Sequence, residues 1–310
     1  MNKRSYMRGL LFALFGCIGW GVSGVCGQYL FMKYDMDSAW LTAIRMVLSG
    51  IVLLVIAIPK EKKRTFQIWT VRKDVLRLLS FALLGLLMCQ YTFLGAIKFS
   101  NSATATVLQS LNVVIMAMTM AVWTKSRMRI SQSIAVLLAI LGTYLISTGG
   151  NLTSMTLSSA GLVLGILSAV GVVTYTLLSR SIISFWGNML VTGWGMLIGG
   201  AVIFIAAKAW IIPTNLDLIG WLMITIIVLV GTAGGFSAFL EGVKYIGPVK
   251  ATLIGCLEPA SATVLSAIFL GTRFSLVELI GFCCIFLTVY LSVKENTTPD
   301  NTGSDITQSK

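Results

Sequence analysis

The 310-residue chain reads as an all-α integral membrane protein, with ten transmembrane helices arranged as two inverted five-helix repeats. Three observations predict this. The composition is 56% hydrophobic and 11% charged, with a mean hydropathy of +0.90, whereas soluble domains run about 45–50% apolar and about 25% charged. Apolar segments of about 20 residues, enough to cross a ~30 Å hydrocarbon core, recur along the chain. The second half of the sequence also repeats features of the first.

The segments fall, in order, at 8–31, 39–58, 76–97, 103–123, 131–148, 158–182, 187–208, 216–240, 249–270 and 276–293. The first imitates a signal peptide, because basic residues within 1–8 precede Leu10-Leu11-Phe12-Ala13-Leu14. Leu14-Phe15-Gly16-Cys17 even resembles a lipoprotein cleavage site. The apolar run continues to Phe31 with no small-x-small site, so an uncleaved spanning helix is expected. Pro59-Lys60 closes the second segment and Gly149-Gly150-Asn151 the fifth. Pro213-Thr214-Asn215, Gly247-Pro248 and Gly271-Thr272 close the seventh, eighth and ninth. Basic and apolar residues mix over 60–74, where Phe66, Ile68, Trp69 and Val71 predict a segment lying on the inner leaflet. The polar tail 296–310 predicts disorder.

Charge placement orients the spans. With a cytoplasmic N-terminus, 18 Lys and Arg fall in inner segments against Lys33, Lys98, Lys208 and Arg273 outside, with Arg45 inside a span. This predicts both termini in the cytoplasm and the cell membrane as location. The net charge of +12 is then a topology signal, and nucleic acid is not an expected partner. The sequence contains no histidine, which removes His-ligated zinc, haem-His and Ser-His-Asp chemistry. Cys17, Cys26, Cys89, Cys256, Cys283 and Cys284 all lie in apolar stretches without metal or redox spacing. No enzyme activity, cofactor or metal is expected. Lipids surround such a chain, and a homodimer is compatible with it.

The repeat appears when 1–148 is laid over 158–293. Gly9-Leu10 meets Gly161-Leu162, and Gly19 meets Gly171. Thr42, Met46 and Gly50 meet Thr192, Met196 and Gly200. At an offset of 146, Phe93-Leu94 meets Phe239-Leu240, Lys98 meets Lys244, Arg127 meets Arg273, and Tyr144-Leu145 meets Tyr290-Leu291. The expected units are 1–148, a linker at 149–157, 158–295, and the tail. Each half holds five spans, an odd number, so the halves are expected to enter the membrane in opposite senses. Inverted repeats serve transporters, whose halves rock about a midplane site.

The junction at 95–103, its partner at 241–251, Leu257-Glu258-Pro259-Ala260, the stretch 269–273 and Gly281 carry a family resemblance. With the five-plus-five duplication, the chain resembles the EamA-type branch of the drug/metabolite transporter superfamily. The resemblance implies a ten-span carrier and makes export the default direction. Two positions depart from the pattern. Thr272 stands where the family's acidic residue precedes the loop Arg, and Asn112-Val113 stands where the second half has Glu258-Pro259. A symmetric ion-coupling scheme is therefore not expected.

Glu258 lies eight residues past Lys250, or about 12 Å along a helix, hence near mid-membrane. It reads as a proton carrier or cation contact, or as a structural Glu before the kink at Pro259. Its repeat-mate Asn112, with Gln109 one turn earlier, reads as site lining or as polar glue between helices. Arg45 reads as a substrate or gate contact or as a paired structural charge, and a couple with Glu258 is left open. Trp20, Ser23 and Gln28 on the first span resemble a cavity wall, and Tyr175 stands at the repeat position of Ser23. Tyr91, Trp194 and Phe236 are further aromatic candidates, each with packing or lipid contact as its ordinary alternative. Trp40, Trp186, Trp210 and Trp221 read as interface anchors.

The expected function is secondary active transport of a small metabolite (an amino acid, organic cation or drug-like compound) by alternating access. No phosphate-binding Gly-x-x-x-x-Gly-Lys-Ser/Thr loop exists, so a proton or solute gradient is the expected drive. The alternatives are a membrane-embedded enzyme, a channel, or a non-transporting scaffold or sensor.

Overall fold

Apolar helices with hydrogen-bonding caps account for the architecture. The computed structural model describes residues 3–125, 130–149, 157–213, 216–246, 254–255 and 257–295. Most of the expected linker at 149–157 and the whole tail from 296 lie outside the described residues. Helix α1 spans Lys3–Tyr34 and α2 spans Ser38–Glu61. Helix α3 comprises Arg72–Ser80, Phe81–Leu87 and Met88–Phe99, and α4 comprises Ser102–Gln109 and Asn112–Thr124. Then follow α5 (Ile130–Thr148), α6 (Ser159–Trp186) and α7 (Asn188–Ala206). Helix α8 comprises Leu218–Ile226, Ile227–Gly234 and Gly235–Ile246, before α9 (Leu257–Leu270) and α10 (Leu276–Glu295). No strand occurs among the described residues. Among the described residues, seven helices are long and apolar enough to cross a membrane, while α5, α9 and α10 carry the shorter apolar stretches Ser133–Thr148, Leu257–Leu270 and Leu276–Leu291.

Five helices begin on a side-chain cap at one end of the bundle. Asp37 accepts from the Ala39 amide, Asn101 from Thr104, Ser158 from Gly161, and Asp217 from Gly220. Ser275 and Glu278 form a reciprocal capping box at α10. Each cap satisfies an amide that the first helical turn cannot. Within the helices, hydroxyls such as Thr42, Thr92 and Thr143 donate to the carbonyl four residues back. They add no unpaired polar group to an apolar helix. Gly187 adopts φ +85°, and its amide closes α6 on the Ile183 carbonyl before α7 starts.

The packing respects the sequence repeat. Helix α2 lies along α7 and α5 along α10; α1 packs on α8 and α9, as α6 packs on α3 and α4. Individual contacts come in mates. A Cβ on Gly50 would lie 2.8 Å from the Leu197 amide nitrogen, and one on Gly200 would lie 2.8 Å from that of Val47. Both pairs map onto each other when the halves are exchanged. Gly85 against Tyr175 and Gly231 against Ser23 form a second mated set, as do Gly9 against Tyr245 and Gly161 against Phe99. Close approach at small residues lets helices associate where lipid removes the hydrophobic drive between them. The irregularities match too. The π-helical turns at Phe81–Leu87 and Ile227–Gly234 fall 146 residues apart.

At the capped end, the Lys33 ammonium meets Asp217 at 2.9 Å, the Tyr34 hydroxyl donates to the same carboxylate, and Trp40 Nε1 donates to the Ile211 carbonyl. At the other end Trp186 Nε1 donates to Asp74, and the one-turn helices Arg64–Gln67 and Ile68–Thr70 bury Thr65 and Ile68. Phe66, Trp69 and Val71 of this segment stay exposed. Trp40 and Trp186, expected as interface anchors, are thus buried with their indole donors engaged, whereas Trp210 and Trp221 are exposed. Pro59, read as closing the second span, sits inside the last turn of α2, which runs on to Glu61.

Candidate functional site

Two adjoining cavities occupy the middle of the bundle. The smaller, about 80 Å³, is bounded by Arg45 from α2, Gln90 from α3, Phe236 from α8 and Glu258 from α9. The larger, about 390 Å³, reaches Gln109 and Asn112 on α4 and Phe286 on α10. Trp20, Gln109, Val172, Tyr175 and Glu258 line both, which makes them one continuous site.

Repeat-mates face each other across this site: Trp20 and Val172, Gln90 and Phe236, Gln109 and Gly255, Asn112 and Glu258. The site therefore lies where the two halves exchange. The exchange is chemically incomplete. Glu258 has the neutral Asn112 as mate, and Arg45 has Gly195, whose missing side chain leaves room for the Phe81 ring. Among the described residues, the charge lining the site comes from Arg45 and Glu258.

Local structure explains how these side chains are held. The Arg45 residue is 5% exposed, and its Nε donates to Thr232 Oγ1 at 2.9 Å. Thr232 belongs to the π-helical turn of α8, and its hydroxyl donates in turn to the Ile227 carbonyl. Single π turns inside α-helices open the backbone and frequently mark functional positions. Arg45 Nη1 is buried without a hydrogen-bond partner. Glu258 stands in the first turn of α9, one residue before Pro259. Arg45 and Glu258 both border the small cavity. Among the described residues no ion pair within 4.0 Å joins them.

Helix α4 tightens between Gln109 and Asn112, where the Leu111 amide donates to Leu108 and Asn112 Nδ2 to the Gln109 carbonyl. Gln109 Nε2 points to Cys89 Sγ at 3.6 Å. The wall is aromatic: Trp20 meets Phe236 edge-on at 5.3 Å and Phe239 at 5.1 Å. Trp20 Nε1 is a second buried donor with no partner. A buried guanidinium and a carboxylate that form no ion pair, unused donors and aromatic walls can receive a small polar solute with an apolar body.

The model of the EamA-like transporter family matches residues 7–148 and again 159–294. The chain belongs to the EamA-like transporter family. It is thus a transmembrane transporter built from a two-part EamA repeat. The EamA chain is 38% identical over 291 residues to the uncharacterized inner membrane transporter YicL of Salmonella typhimurium, covering 93% of this chain and 95% of the relative. The uncharacterized transporter YyaM of Bacillus subtilis is 24% identical over 258 residues, with 82% of each chain covered. A crystal structure at 15% identity superposes with a TM-score of 0.60 over 94% of this chain and 98% of the other, a likeness of fold.

Of the residues singled out in the sequence of this EamA protein, Glu258, Asn112, Arg45, Trp20, Gln109, Tyr175 and Phe236 meet at the central site. Four lie elsewhere. Ser23 is buried against Gly231. Gln28 Oε1 accepts from the Ser102 amide and hydroxyl, and its Nε2 donates to Thr272, tying α1 to α4 and to the connection after α9 at the capped end. Tyr91 is 41% exposed on the outside of the bundle. Trp194 donates to the Thr65 carbonyl and packs on Trp69 at the opposite end. Sequence reasoning passed over Gln90, Val172 and Thr232. Gln90 and Val172 were within reach, being the repeat-mates of Phe236 and Trp20.

Proposed function

We propose that this chain is a secondary active transporter that moves a small metabolite across the cell membrane by alternating access, driven by protons or by exchange. In this reading ten spans form two inverted five-helix halves, and both termini are cytoplasmic. One observation carries the reading: a central site containing an unpaired Arg–Glu couple is lined by repeat-mates from both halves. A site on the exchange relation is accessible in turn from either side when the halves swap conformations. Support for the inversion comes from the capped end, where α1 finishes at Tyr34 while its mate α6 starts just after its cap Ser158, which donates to the Phe99 carbonyl. The outer side is then the one closed by Gln28, Ser102, Thr272, Lys33 and Asp217.

Purified full-length protein in proteoliposomes tests the proposal with a panel of labelled amino acids, organic cations and nucleobases. Saturable flux of a panel member, accelerated by a pH gradient or by internal solute, is the expected result. If no member moves under either drive, the carrier reading fails.

A further inference from the structure

The junction of α2 and α3, residues 60–74, carries charge that the bundle does not use. Lys60, Lys62, Lys63, Arg72 and Lys73 are exposed there, and among the described residues none of the five forms an ion pair. The acids beside them are engaged: Glu61 meets Arg64 at 3.6 Å, and Asp74 accepts from Trp186 Nε1 at 3.0 Å. We propose that this junction is a docking surface for anionic phospholipid, its exposed rings set among acyl chains and its cations against headgroup phosphates. The surface lies apart from the central cavities and does not depend on which solute the carrier moves.

Local geometry puts the rings at lipid depth. Over 64–70 the chain forms two one-turn helices, so residues three apart share a face. Thr65 and Ile68 turn inward and are fully buried, while Phe66 and Trp69 turn outward. The inward face is fastened to the second half, where Trp194 Nε1 donates to the Thr65 carbonyl and Arg64 Nη2 to the Phe185 carbonyl. The outward rings meet the same tryptophan edge-on, Phe66 at 6.1 Å and Trp69 at 5.1 Å. Trp194 stands about 9 Å along the axis of α7 from its start at Asn188, on a helix long and apolar enough to cross a membrane. Interfacial segments bury their apolar face about 5–10 Å into the boundary of headgroups and acyl chains. The junction is thus held beside a spanning helix at that depth, where rings meet lipid and the flanking cations meet phosphate.

The mated connection between α7 and α8 separates the two contributions. Trp210, Ile211 and Ile212 are exposed on it, so an apolar wedge occurs at both ends of the bundle. From 207 to 217, however, its sequence holds a single cation, Lys208, and one acid, Asp217, which pairs with Lys33. Orienting the spans requires only that cations stay on one side. It does not call for cations gathered on both flanks of exposed rings that four side chains hold in place. The wedge suits any bilayer, and the cation cluster adds selection for anionic headgroups in the leaflet at this end, the inner one in the topology proposed above.

The test is the melting midpoint of the detergent-purified full chain, titrated with mixed micelles containing phosphatidylglycerol or phosphatidylcholine. Half-maximal stabilisation is expected at a phosphatidylglycerol content at least about tenfold lower, because each Lys or Arg near an anionic surface adds to the attraction. The preference should collapse as salt rises from about 0.01 M to about 1 M, which shortens the screening length from about 30 Å to about 3 Å. Lys62→Gln, Lys63→Gln and Lys73→Gln combined should make the two lipids equivalent, whereas Lys208→Gln on the mated connection should keep the wild-type preference. Phe66→Ser with Trp69→Ser should weaken both lipids together. Inorganic phosphate at matched concentration should leave the midpoint unmoved, which separates a lipid surface from an anion site. Each single lysine substitution should lower the preference by part of the same factor, so the test stands even where the combined variant does not fold. Equal response of the wild type to both lipids, stabilisation by inorganic phosphate alone, or a preference that survives the lysine substitutions overturns the proposal. None of these results bears on flux in proteoliposomes, which decides the carrier reading separately.

Discussion

Arg45 and Thr232 meet through one hydrogen bond, guanidinium Nε to Oγ1 at 2.9 Å, formed entirely inside the bundle. The threonine accepts it with an oxygen already oriented by its own donation to Ile227. A π-helical turn in the second half thus sets the direction of the buried cation from the first half.

Replacing that acceptor without changing its shape isolates the bond. Thr232→Val should destabilise the protein by about 1–3 kcal/mol, the cost of a buried charged donor losing its partner. Thr232→Ser should restore most of the loss. Thermal unfolding in detergent measures both, and a Val variant as stable as wild type would show that Arg45 is held by something else.

Glu258→Gln keeps the shape of the first turn of α9 and removes the ability to exchange a proton. Accumulation driven by a pH gradient should be abolished in proteoliposomes, while the variant still folds and counterflow exchange persists. Unchanged pH-driven accumulation would take Glu258 out of the coupling step.

The mated contacts of α2 and α7 make a quantitative demand. At either Gly50 or Gly200, an alanine Cβ would press within 2.8 Å of a backbone nitrogen of the facing helix. Overpacking of this kind costs about 1–3 kcal/mol. The two single variants should lose stability by similar amounts. A large loss at one position and none at the other would mean that the seam is not energetically balanced.

Asp217, just ahead of α8, titrates far from its usual range. The Tyr34 hydroxyl, the Gly220 amide and Lys33 all stabilise its ionised form and hold its carboxyl well below an ordinary aspartate. A depressed folded-state value means that the stabilisation is fully present above the unfolded value of about 3.9 and is lost only as pH falls toward the folded one. The melting difference between wild type and Asp217→Asn should therefore stay constant from about pH 8 to about pH 5. A difference that shrinks steadily across that window would contradict the assignment.

Much of the layout was legible in the residue order because lipid imposes a strict length and polarity on each helix. Gly9, Gly19 and Gly50 could be paired with Gly161, Gly171 and Gly200 before any contact was known. The facing of individual side chains was less accessible. Successive residues on an α-helix point about 100° apart, so Tyr91 faces outward while its neighbour Gln90 lines the site. In uniformly apolar helices the hydrophobic pattern gives no phase with which to choose between them. The meeting of Arg45 with Glu258, 213 positions apart in sequence, depends on packing between helices that no local pattern specifies. Gln28 was read as a wall residue because its polarity announced a role, yet its partners Ser102 and Thr272 come from distant segments.

The two π turns also carry a consequence for how this sequence can drift. Such a turn holds one more residue than the α-helical turn it replaces, so the helix on either side keeps its own phase. Loss of a single residue from Phe81–Leu87 would convert that turn to ordinary α-helix and leave both Arg72–Ser80 and Met88–Phe99 in register. The same holds for Ile227–Gly234. A one-residue deletion elsewhere in these helices would rotate every downstream side chain by a quarter turn or more and carry Gln90 or Phe236 out of the site. Length changes in α3 and α8 should therefore be survivable at these two matching places and harmful on either side of them.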